Sequence, residues 1–204
     1  MNDAACVAGF LDDTTSLRHA GVPIVIVTHF AETHRRVAES LQGLNIASTL
    51  ISSPHELSPS SLAAPGDPRG VPMVPFPVLQ LAAPFPAPEK RSDEPCLVVV
   101  PEPYPTSARN ELVTAFAASL PFQAAVRFYV SLESPIMRRF GGEDIVGLLT
   151  RLGMAENDVI ENPMLARAFE SSQKKLARLV KEDQWAASVH AWFAMNEKHL
   201  GNRR

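Results

Sequence analysis

Apolar and polar positions along the chain fall into three regimes: two strand-and-helix stretches flanking a proline-dense segment, then a last third that is all helix. Ile24-Val25-Ile26-Val27 is a β-branched run after Gly21 and Pro23, the pattern of a strand buried on both faces. Phe30, Val37, Ala38, Leu41 and Leu44 then share one helical face, with His34, Arg35, Arg36 and Glu39 alongside. Residues 46–51 predict a second short strand, which completes a strand–helix–strand unit and favours a parallel sheet. Cys96-Leu97-Val98-Val99-Val100 predicts a third buried strand, residues 110–119 a helix, and Phe128-Tyr129-Val130-Ser131-Leu132 a fourth strand. Strands alternating with helices imply α/β.

Ser134-Pro135 supplies a capping residue and a proline for a helix start. Ile145, Leu148, Leu149 and Leu152 form an apolar stripe that stops at Gly153. Asn162-Pro163 repeats the start signal, and Leu165, Phe169, Ser172, Leu176 and Leu179 keep helical spacing. Trp185, Val189, Trp192 and Phe193 continue it, with a break expected between Lys181 and Gln184. The plain expectation for the two tryptophans is that they pack as core anchors.

Of the 18 prolines, 14 lie between Pro54 and Pro105. Proline fixes φ and removes a backbone donor, so this segment is expected to hold neither central sheet nor long helix. Its apolar residues, Val71, Met73, Val74, Phe76, Val78, Leu79, Leu81 and Phe85, suggest an irregular excursion lying partly on the surface. Removing about twenty residues between Ser60 and Ala87 should leave the domain folded, because loop closure depends weakly on length.

Composition then narrows the function. Hydrophobic residues at 46% and charged residues at 20% describe a globular chain. A net charge of −3 gives no electrostatic reason to expect nucleic acid. Cys6 and Cys96 are too few for a disulfide framework or a four-cysteine metal site. No stretch reaches ~20 apolar residues, and the start lacks a signal-peptide pattern, so a soluble, intracellular protein is expected. His29 and His34 are five apart rather than four, and His190 has no partner at ligand spacing. No G-x-S-x-G elbow supports a hydrolase. Asp93-Glu94 precedes a strand instead of following one and reads as a solvated turn. Arg138-Arg139 is either a phosphate or headgroup contact or a solvated pair.

Between Arg127 and Lys175 a series of short motifs falls in order. They are Ser131-Leu132-Glu133, Ile136-Met137-Arg138-Arg139-Phe140, Leu152-Gly153-Met154, Ile160-Glu161-Asn162-Pro163 and Ser172-Gln173-Lys174-Lys175, with Met195-Asn196 further on. This segment resembles SecA, the ATPase of bacterial preprotein export. Residues 21–51 look like the opening strand–helix–strand of that family's second nucleotide-binding domain.

The resemblance implies an α/β, RecA-like parallel sheet of the helicase C-terminal type with a C-terminal helical extension. Residues 1–133 would form a degenerate second motor domain with a Pro-rich insertion over 53–95. Residues 134–204 would resemble the start of the SecA scaffold.

ATP is the cofactor in that family, but its motifs are missing here. Where the family carries RGRAGRQG, this sequence has Thr114-Ala115-Phe116-Ala117-Ala118-Ser119-Leu120-Pro121, and no arginine lies between Arg109 and Arg127. Gly66 to Gly70 offers no Ala-Gly-Arg-Gly-Thr-Asp run, and GxxxxGK[ST] occurs nowhere in these 204 residues. Phosphoryl transfer is catalysed by positioning and charge, and an arginine finger alone is worth roughly 10³–10⁵ in rate. The expectation is therefore a non-catalytic binding module of preprotein translocation, with no cofactor and no metal. Its partner would be a protein, a translocation component, engaged through Trp185, Val189, Trp192 and Phe193. Its location would be cytoplasmic, with peripheral contact at the inner membrane. Two other readings stand beside it: half of a split or accessory motor completed by a separate P-loop subunit, and a decayed relic.

Overall fold

The computed structural model describes residues 3–57, 62, 70–139, 147, 151, 163–180 and 183–200. Its elements in chain order are α1 (Asp3–His19), β1 (Ile24–Thr28), α2 (Ala31–Gly43), β2 (Ser48–Leu50) and a 3₁₀ turn (Pro54–Glu56). There follow β3 (Val71–Pro75), α3 (Phe76–Ala82), β4 (Pro95–Val100), α4 (Ser107–Ser119) and β5 (Gln123–Phe128). Three helices complete the series: α5 (Pro135–Arg139), α6 (Pro163–Leu179) and α7 (Val189–Leu200). The strands form one parallel sheet in the order β2-β3-β1-β4-β5, the α/β class expected from the sequence.

Alternation along the strands builds two apolar layers. Val25, Val27, Val74, Val98 and Val100 pack with Leu79, Val113, Phe116 and Leu120 on the α3–α4 face. Ile24, Ile26, Met73, Leu97 and Val99 pack with Phe10, Val37 and Leu41 on the α1–α2 face. All five residues of β1 are buried, which explains why it reads as a continuous apolar run. Helix α1 has no counterpart in the sequence reading. It is tied down by Asp13, whose carboxylate accepts from Arg127 and from the Tyr129 hydroxyl.

The proline-dense segment is corrected by the structure, since it contributes β3, a strand between β2 and β1. Backbone bonding shows how prolines fit there. Val71 N donates to Ala47 O at 2.8 Å and Met73 O accepts from Ile51 N at 2.9 Å, so odd positions bond toward β2. Pro72 therefore faces β1, whose pairing with β3 begins one residue later at Met73. Pro75 faces beyond Leu50, where the β2 ladder has ended. Neither ring removes a donor that the ladder uses. Gly70, at φ +90°, makes the close approach possible, because a Cβ there would lie 2.1 Å from Ala47 O.

The fourth expected strand also shifts, from 128–132 to β5 at 123–128. Its register with β4 runs from Pro95↔Gln123 to Val100↔Phe128. Beyond Val100 the adjacent strand β4 gives way to a turn at Pro101, so the ladder ends with Tyr129 N on Val100 O. Ser131-Leu132-Glu133 becomes a turn, with Glu133 N on the Ser131 hydroxyl at 3.1 Å. In α6, Phe169, Ser172, Gln173 and Leu176 face inward, while Leu179 is exposed and Val180 is buried instead. The expected helix break is present, since α6 ends at Leu179 and α7 begins at Val189. The stripe Ile145 to Leu152 and its stop at Gly153 lie outside the described residues.

Candidate functional site at the strand carboxyl ends

Helices α1 and α2 lie on one face of the sheet and α3 and α4 on the other, so the chain leaves β1 and β3 toward opposite faces. In open parallel sheets the crevice at such a reversal, outside the strand carboxyl ends, is where ligands bind. Here that position brings together Thr28 at the end of β1, His29 and Phe30 just after it, Phe76 after β3, and Tyr104 after β4.

His29 is 1% exposed. Its ring centroid lies 4.8 Å from Phe76 and 5.5 Å from Tyr104, and neither ring nitrogen has a hydrogen-bond partner. Burial, reinforced by the Arg109 cation, lowers its pKa to about 3, so the ring is neutral. Asn110 pulls weakly the other way, but its amide is engaged with the backbone of Tyr104 and Thr106. A neutral imidazole still carries one donor and one acceptor, and both are buried here.

Tyr104 is the pivot of the crevice. Its ring stacks on Phe30 at 5.4 Å and meets Trp192 edge-on at 6.0 Å. Arg109 lies 4.1 Å over its face, a cation–π contact. Its hydroxyl donates to Asp183 Oδ1 at 2.6 Å; burial first, and Asp183 second, hold its pKa well above the ordinary phenol value. Gln173 Nε2 in α6 donates to Tyr104 O at 2.7 Å. Asp183 also accepts from Trp192 Nε1 at 2.7 Å and from Arg109 Nε at 3.0 Å. Three elements thus converge on one carboxylate.

Beside this core, Thr33 donates to the Glu102 carboxylate, with Arg36 at 3.8 Å from the same group. They line a small cleft of about 80 Å³ shared with Cys6, Ser134 and His190. A wider groove of about 620 Å³ follows β5, lined by Phe128, Leu132, Met137, Leu165 and Phe169. Among the described residues no group of three His, Cys, Asp or Glu is placed to hold a metal, and no helix is long and apolar enough to cross a membrane.

The four residues expected as an open partner stripe separate. Trp192 is 0% exposed and Val189 is buried, both covered by the chain's own third apolar cluster with Phe30, Tyr104, Leu132, Phe169 and Leu176. Phe193 is partly buried against Trp192 at 5.1 Å. Trp185 alone stands out, 53% exposed. The stripe does not stay uncovered because α7 folds back onto the strand ends. Arg138 reaches Glu133 at 3.9 Å and Arg139 donates to Leu200 O, so the pair makes intramolecular contacts. Nothing in the sequence singles out Tyr104, Arg109 or Asp183 as site residues, and Gln173 stands there only within its Ser172–Lys175 motif; the usable signal is position, since residues just after a buried parallel strand line the crevice.

A parallel α/β sheet whose strand-end crevice is closed by its own C-terminal helices is the class these observations define. The comparisons add the family of one region. A 50-residue stretch, 24% of this chain, is 54% identical to protein translocase subunit SecA of Lawsonia intracellularis and to that of Syntrophomonas wolfei. It is 52% identical to SecA of Nitratidesulfovibrio vulgaris. The chain carries a SecA-family region, and that region spans 6% of the length of each of these relatives. No family model matches. A solved structure, the C-terminal part of the Fun30 ATPase domain, aligns over 79% of this chain and 50% of its own at 8% identity and a TM-score of 0.37.

Proposed function

We propose that this chain is a non-catalytic SecA-like module that works in preprotein translocation by binding a protein component of the translocation apparatus. The observation that carries the reading is the filling of the crevice. Phe30, His29, Phe76, Tyr104 and Trp192 pack where a parallel α/β domain would admit a nucleotide, and Asp183 puts a carboxylate on Arg109. A phosphate there would meet an anion and a wall of aromatic rings. The missing P-loop and arginine motifs point the same way. The split-motor alternative needs an arginine presented across a cleft, and Arg109 is committed to Asp183 and to the Tyr104 ring.

On this reading no ATP cofactor is used. The protein acts in the cytoplasm, with peripheral contact at the inner membrane through its partner, and among the described residues Trp185 is the large aromatic side chain left exposed to meet it. Titration calorimetry with ATP or ADP plus magnesium tests the reading. Dissociation constants in the millimolar range or weaker are expected. A micromolar constant removes the non-catalytic reading.

A further inference from the structure

The two edges of the sheet are protected unequally. An exposed edge is normally blunted by short length, a proline or a bulge. β2 has only three residues, but β5 has six, none of them proline, and its register with β4 is unbroken. Gln123 N donates to Glu94 O and Tyr129 N to Val100 O, so the odd positions of β5 bond toward β4. The N–H and C=O of Val126 and Phe128 therefore point away from β4, and among the described residues no backbone group meets them. Both residues line the groove of about 620 Å³, which α4 walls on one side and α6 on the other. Its charge is uneven. Asp13 and Arg127 pair with each other, which leaves the exposed carboxylates of Glu111 and Glu170 against the one ammonium of Lys174.

We propose that this groove takes an extended segment of another protein as a further strand on β5, apolar at alternate positions and carrying a basic side chain. Main-chain bonds to Val126 and Phe128 supply the affinity, and alternation fixes the register. The apolar side chains meet Leu132, Met137, Leu165 and Phe169, while Glu111 and Glu170 receive the cation. A second copy of this chain fits worse, because its β5 would arrive flanked by its own α4 and α6. Trp185 is not among the lining residues, so the inference stands apart from the surface named above and from the identity of the partner there.

The test uses the full chain and a fluorescein-labelled peptide of alternating valine and threonine with one central lysine and serine ends, titrated by anisotropy. Saturable binding in the micromolar range is expected. Glutamate in place of the peptide's lysine should weaken it about tenfold, and Glu111→Lys with Glu170→Lys should invert that preference. Val126→Pro removes an edge donor that β4 does not use and should also weaken binding about tenfold. Trp185→Ala should leave it unchanged. Amide exchange followed by NMR reads the same contact in the parent without any substitution. Free, the Ala125 and Arg127 amides should exchange slowly and those of Val126 and Phe128 quickly; saturating peptide should slow the second pair. The docking strand is overturned if the peptide fails to bind at about millimolar concentration, or if Val126 and Phe128 exchange as before at saturation. It is equally overturned if charge reversal has no effect, or if binding is lost with Trp185 instead. Sedimentation showing a dimer of the free chain, with Val126 and Phe128 already protected, would make a second copy the occupant and end the proposal.

Discussion

Trp192 Nε1 and Asp183 Oδ1 stand 2.7 Å apart, so the largest buried side chain of the C-terminal helix has its one polar atom satisfied by a residue nine positions earlier. A buried indole N–H needs such a partner, and here the partner also holds the sheet through Tyr104 and Arg109. Replacing Trp192 by Ala should cost about 3–5 kcal/mol, whereas Trp185→Ala, at a half-exposed position, should change stability by less than about 0.5 kcal/mol. Urea unfolding of the two variants checks the contrast; equal effects would contradict this placement of the arm.

Stability should fall with acid through His29. Its native pKa of about 3 lies below the unfolded value of 6.5, so the unfolded chain binds the extra proton first. The contribution is full at neutral pH, erodes as pH drops below about 6.5, and levels off near pH 3. At about 1.36 kcal/mol per unit, the loss at pH 5 is roughly 2 kcal/mol. A pH series of urea midpoints, with His29→Leu as control, measures it; the control should lose that part of the slope.

Gly70 and Gly21 both have positive φ, at +90° and +73°, yet only Gly70 has backbone within reach of an added Cβ. Gly21→Ala should cost about 1–2 kcal/mol, the ordinary left-handed penalty. Gly70→Ala adds a clash with the Ala47 carbonyl and should cost more than about 3 kcal/mol. Thermal melts of both proteins decide it.

The proline-dense segment divides into parts of opposite importance. Deleting residues 71–82 removes β3, Phe76 and Leu79 and should abolish cooperative unfolding. Deleting residues 86–91, an irregular and mostly exposed stretch, should cost about 1 kcal/mol or less. Denaturation curves of both deletions separate the two outcomes.

How far the sequence could be read follows from these residues. Ile24 to Val27 and Cys96 to Val100 are legible as strands because both faces are buried and every position is apolar. Residues 71–75 are hidden because Pro72 and Pro75 each lack a donor and the sequence does not show which side their nitrogens face. The boundary of β5 is not legible because Tyr129 and Val130 continue the strand-forming pattern of Val126 and Phe128, and only Pro101 at the end of β4 stops the ladder. Helix α1 shows little segregation of apolar residues, and what fixes it is Asp13 meeting Arg127 and Tyr129, more than 110 positions away. The position of Tyr104 after a legible strand points to the crevice, but its partner Asp183, 79 positions away, is not legible from either neighbourhood.

The place of β3 in the sheet has a bearing on how the chain comes to be folded at all. Ile24–Thr28 and Ser48–Leu50 are consecutive strands, yet neither touches the other; Val71–Pro75 is the wedge that joins them. On a growing chain the first two strands have no shared edge to zip along, and α2, although Val37 and Leu41 can pack on β1, cannot pair β2 with it. Assembly must wait some twenty residues past β2, until the one strand with two prolines arrives to be clasped from both sides.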